Sequence, residues 1–104
     1  MRFLEVTEGI QEQSSKESIS YGIDVTNFTD SPTSITVYAY LVDDNSNVTS
    51  TVFPAGSASV TGNVISLPKL TALTAANTYR IEVTFVGSGA GNTFCCILYV
   101  KCVV

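Results

Sequence analysis

Apolar and polar positions alternate along most of this chain, with the two-residue period of a pleated strand, and no segment of useful length carries helical spacing. Residues 2–7 make a short first strand, and the polar run EGIQEQSSK (8–16) reads as a loop or arm. Over 17–28, Ile19, Tyr21, Ile23 and Val25 face one way, and Ser18, Ser20, Gly22, Asp24 and Thr26 the other. Turn chemistry around Pro32 fills 29–33. Over 34–44, Ile35, Val37, Ala39 and Leu41 share one face, with Thr36, Tyr38, Tyr40 and Val42 opposite. A loop at 43–47 leads to an edge strand at 48–53 that Pro54 ends. Residues 57–68 form a hairpin about Gly62-Asn63, a two-residue turn signal between β-prone runs. Over 77–86, Tyr79, Ile81, Val83 and Phe85 oppose Arg80, Glu82 and Thr84, and GSGAGN (87–92) is a hairpin loop into the last strand.

That last strand, FCCILYVKCVV (94–104), departs from the half-wet pattern. Phe94, Cys96, Leu98, Val100 and Cys102 make one face; Cys95, Ile97, Tyr99, Lys101 and Val103 make the other, where only Lys101 plainly belongs in water. The strand at 34–44 has the same two-sided character.

About seven strands, turn signals every 8 to 12 residues and no helices describe an all-β, immunoglobulin-like antiparallel sandwich. Leu70, Leu73, Asn77, Tyr79, Ile81 and Val83 follow the spacing Leu-x-x-Leu-x-x-x-(Thr/Asn)-x-Tyr-x-Ile-x-Val. That spacing resembles the turn into the sixth strand of fibronectin type III and related domains. The resemblance implies that the two leucines plug one end of the sandwich. It implies too that the Tyr79 hydroxyl bonds to backbone a few residues upstream, as a tyrosine corner. The chain departs from the fibronectin pattern in having no Trp.

At 104 residues there is room for one domain and one modest core. We divide the chain into an N-terminal strand or arm, 1–15, and a sandwich domain, 16–104. Charged residues are 13% and apolar residues 45%, a globular balance. A net charge of −4 and the lack of a Lys/Arg cluster argue against nucleic-acid or anionic-membrane partners. MRFLEVTEGIQEQ has no apolar stretch of signal-peptide type and no run spans a bilayer, so the expectation is a soluble protein made in a cytosol. Neighbouring Cys95 and Cys96 point to opposite faces, and Cys96 and Cys102 lie about 20 Å apart along one face. Neither pair can bridge, so all three cysteines read as reduced, with a disulfide between chains through Cys95 as the lesser alternative.

Candidate chemistry is sparse. With no histidine, the commonest general base and most zinc sites are gone. Asp43, Asn45 and Asn47 alternate as in a calcium loop, but the glycine is missing and Pro54 stands at the twelfth place, so we read a polar loop. Gly87, Gly89 and Gly91 have no following helix and no nearby Lys, so they read as a hairpin tip rather than a phosphate cradle. Asn27-Phe28-Thr29 and Asn47-Val48-Thr49 match the glycosylation acceptor pattern, without meaning outside a secretory route. The sequence supports no catalytic residue, cofactor or metal, and we read the protein as not an enzyme.

KESISYGIDVTNF (16–28), TAANTYRIEV (74–83) and the glycine turn with terminal strand, 87–104, resemble small immunoglobulin-like proteins from the structural gene clusters of tailed bacteriophages. That resemblance implies a virion component assembled in the host bacterial cytoplasm, such as a capsid decoration or stabilising protein. Its partners would be the major capsid protein or other virion proteins, with self-association. The contact residues we assign are Phe3 and Leu4 of the arm with Tyr38, Tyr40, Val42, Cys95, Ile97 and Tyr99. The alternatives for the outward patch are cover by residues 1–13 of the same chain, or use as a carbohydrate- or protein-binding adhesive module of a tail or fibre.

Overall fold

The structure, a computed structural model, describes residues 2–5, 10–26, 28–29, 31–89 and 91–104, of which 2–5 by backbone alone. Among the described residues, eight strands and one helical turn follow in order: β1 (Arg2–Glu5), β2 (Gln11–Gln13), β3 (Tyr21–Asp24), β4 (Thr33–Leu41), α1 (Thr49–Val52), β5 (Ser59–Thr61), β6 (Val64–Ser66), β7 (Thr78–Val86) and β8 (Thr93–Cys102). They form two four-stranded sheets, with orders β1-β3-β6-β5 and β2-β8-β7-β4.

One core lies between the sheets. Tyr21, Ile23 and Ile65 come from the first sheet; Ala39, Ile81, Val83, Phe85, Cys96, Leu98 and Val100 come from the second. Each set is the inward half of an alternating strand. β7 alternates half-buried and buried positions throughout, and β8 alternates exposed and buried from Cys95 onward. The reason is the pleat: every second side chain leaves water, and each large one that is fully buried contributes about 1.5–3 kcal/mol.

Leu70 and Leu73 are buried, and the Tyr79 hydroxyl accepts the Thr74 N–H at 2.8 Å. Leu70 and Ile19 exchange backbone hydrogen bonds at 2.8 and 3.1 Å, continuing the β3 side of the first sheet past its strand end. The Gly62-Asn63 hairpin also stands where its turn signal lies. Thr61 pairs with Val64, and Gly62 takes φ +59°, the conformation that a two-residue turn needs at its first central position.

Three expectations are corrected. Residues 48–53 are not an edge strand: Thr49–Val52 is a helical turn. The Asn47 side-chain oxygen accepts the Thr49 N–H at 3.0 Å and starts the turn, while the Thr49 hydroxyl accepts the Ala39 N–H at 2.8 Å. A side chain thus occupies the β4 edge that a strand would have paired. Val48 and Val52, four residues apart, suit a helical turn as well as a strand. The second correction concerns 8–16, read as a loop or arm. Gln11–Gln13 is a strand in the second sheet, parallel to Val100–Cys102 of β8. The third is that the sheets are not wholly antiparallel, since β1 also pairs in parallel, with Tyr21–Asp24.

Candidate interaction surface

The site is the outward face of the β2-β8-β7-β4 sheet, and strand register lays it out in rows. One row holds Thr36, Thr84 and Cys95; the next Tyr38, Glu82 and Ile97; the next Tyr40, Arg80 and Tyr99. A fourth row holds Thr78, Lys101 and Glu12, with Val42 at its far side, where the Val42 N–H donates to the Thr78 carbonyl. Six of the eight contact residues assigned from sequence therefore share this face: Tyr38, Tyr40, Val42, Cys95, Ile97 and Tyr99. Phe3 and Leu4 do not join them. They sit on β1, in the opposite sheet, and their side chains lie outside the described residues.

At the centre is a charged pair that the pattern of apolar residues did not reveal. Arg80 Nε donates to Glu82 Oε2 at 2.8 Å, and the guanidinium lies 4.9 Å from the Tyr40 ring centroid. A second guanidinium nitrogen donates to Asn45 Oδ1, tying the 42–47 turn to β7. Tyr38 and Tyr40 approach with ring centroids 6.4 Å apart. Around this centre Tyr38, Val42, Ile97 and Tyr99 remain 40–44% exposed, so no described segment roofs the face. Tyr is a residue enriched in protein–protein contact surfaces.

The edges of the sheet are managed by the chain itself. Along β8 lies β2, held by Gln13, which is fully buried. Gln13 Nε2 donates to the Leu70 carbonyl at 2.7 Å and the Glu17 carbonyl at 3.2 Å. Its Oε1 accepts the Tyr21 hydroxyl at 2.9 Å, and its carbonyl accepts the Val103 N–H at 3.1 Å. One glutamine thereby joins both sheets and the chain end. Sequence reading missed it because Gln-Glu-Gln has no apolar position; the only signal was a polar residue alternating with two others.

The remaining candidates have structural duties. Asn45 and Asn47 spend their side-chain oxygens on Arg80 and on the Thr49 N–H, and hydrogen bonding from Ser46 holds the Asp44 carboxyl below its usual range. Among the described residues no group of three or more His, Cys, Asp or Glu is placed to hold a metal. Asn27 of the first acceptor triplet lies outside the described residues. All three cysteines are free, Cys95 exposed and Cys96 and Cys102 buried. Burial, and then Glu82, raise the Cys95 thiol; burial and then Cys95 push Cys96 up to about 11. Among the described residues no helix is long and apolar enough to cross a membrane.

Comparison of the chain with protein-family models, with curated proteins and with solved structures returned no match.

Proposed function

We propose that this chain is a non-enzymatic structural protein that works by protein–protein contact through the outward face of its second sheet. The observation that carries this reading is the open Tyr38–Ile97–Tyr99 surface around the Arg80–Glu82 pair, set on nine- and ten-residue strands that fix its shape. The orders β1-β3-β6-β5 and β4-β7-β8 correspond to the ABED and CFG sheets of an immunoglobulin-type domain, with β2 as an added edge. The Tyr79 corner supports the same assignment. The parallel β1–β3 pairing is a departure from it.

The resemblance of 16–28, 74–83 and 87–104 to small phage proteins extends the reading to a virion component. In that role the chain decorates or stabilises a capsid, with the major capsid protein as partner. Many identical weak contacts on a repeating shell suffice there, because multiplicity multiplies affinity. The test is to purify the particles produced by the genome that carries this gene and to blot them for the chain. A fixed copy number relative to the major shell protein is expected. Loss of the chain from particles washed at moderate salt would reject the virion role.

A further inference from the structure

We propose that the occupant this face fits is a second copy of the same chain, seated face to face about a two-fold axis that crosses β7 between Arg80 and Glu82. The proposal rests on the reading of this face as a contact surface and names its partner.

The argument is charge complementarity. Arg80 and Glu82 lie in adjacent rows at the centre of the face, one positive and one negative. Two sheets stacked face to face can be related by an axis along the strands or by one across them. An axis along β7 sets Arg80 over Arg80 and Glu82 over Glu82 of the second copy, and like charges placed opposite each other oppose association. An axis across the strands exchanges the two central rows. Arg80 then faces Glu82, Tyr38 faces Tyr40, and Ile97 faces Tyr99, each twice over. The same operation lays the outer charges, Lys101 and Glu12, over the uncharged row of Thr36, Thr84 and Cys95. No like charges among these rows then oppose each other.

A nine-residue strand spans about 30 Å, and the three long strands, with three-residue β2 at one edge, span about 15 Å, so the face projects to about 450 Å², the size of a small interface beside the ~800 Å² per partner of a standard one. The arrangement also keeps the two Cys95 residues apart, three rows or about 20 Å along the strands. An oxidant therefore leaves the dimer without an interchain disulfide.

The experiment is charge exchange read by sedimentation equilibrium over a dilution series. Arg80→Glu leaves two acids at the centre, and Glu82→Arg leaves two bases. Each variant alone should have its dimer dissociation constant raised by about tenfold or more. An equimolar mixture should dimerise again, since each Glu then meets an Arg. Circular dichroism establishes that each variant is folded. If either fails to fold, Arg80→Gln and Glu82→Gln, which keep shape and hydrogen bonding, should each weaken the wild-type dimer severalfold. Variants that dimerise as wild type does, or a mixture that stays monomeric, would overturn the proposal. A monomeric wild-type chain that binds a hydrophobic dye overturns the dimer too, and leaves the contact-surface reading standing.

Discussion

Gln13 shows how much of this fold one residue can hold. Its side chain is buried and hydrogen-bonded to three partners, so its replacement takes a hydrogen bond from each. Gln13→Ala should destabilise the protein by about 2–4 kcal/mol, as the Leu70 carbonyl and the Tyr21 hydroxyl each lose a buried hydrogen bond. Urea unfolding checks this, with a lowered midpoint and an unchanged slope. Gly87 is a second such residue. A Cβ there would lie 2.8 Å from Thr29 Oγ1 and 2.9 Å from Phe94 Cε2, so Gly87→Ala should cost about 1–3 kcal/mol by overpacking. The cysteines predict a pH effect. Burial raises Cys96 from 9.0 to about 11, so the folded state keeps a proton that the unfolded state gives up. The stability this provides is whole below pH 9 and is lost as pH rises toward 11. Urea midpoints measured from pH 8 to 11 should fall less steeply for Cys96→Ala than for the wild type. In the native protein a thiol reagent should titrate Cys95 alone, and all three cysteines once the chain is unfolded.

Among the elements, β2 decides whether the N-terminal part of the chain serves its own domain or a neighbour. Val103 N–H donates to Gln13 carbonyl and Ser15 N–H to Val104 carbonyl at 2.7 Å, both within one chain. Amide exchange at Ser15 and Val103 should therefore be slow and independent of protein concentration. Protection that rises with concentration would show pairing between chains instead. This element was illegible beforehand. Three polar residues give no period, and the partner of an edge strand is chosen by a buried glutamine whose surroundings come from residues 17, 21 and 70. The direction of β1 was hidden for a related reason, since parallel and antiparallel pairing share the same local alternation. The long strands were legible because nine or ten residues of alternation have one physical meaning, and the Tyr79 corner because its spacing is local. The turn at 49–52 was not, since Val48 and Val52 fit both a strand and one turn of helix.

At the scale of the whole molecule, alternation placed Tyr38, Tyr40, Ile97 and Tyr99 on outward faces, and strand order then brought those faces together. The charged centre needed register: Arg80 and Glu82 look like ordinary solvated positions until Tyr40, Asn45 and Tyr99 are set around them. The β2-β8-β7-β4 sheet is buried on one side and apolar at several points on the other, and among the described residues nothing covers that second side. Tyr38 and Tyr99 lie outside the core at 43% and 40% exposure, so removing them should cost about 1–2 kcal/mol through lost cross-strand contacts and leave the fold intact. The measurement that tests this most directly is light scattering coupled to size exclusion, with titration of a hydrophobic dye, on the wild type and on a Tyr38→Ser, Tyr99→Ser variant. The wild type should exceed the monomer mass or bind the dye, and the variant should do neither while keeping its strand content. A wild-type chain that elutes as a clean monomer and leaves the dye dark would contradict the account, as would a variant that loses its fold.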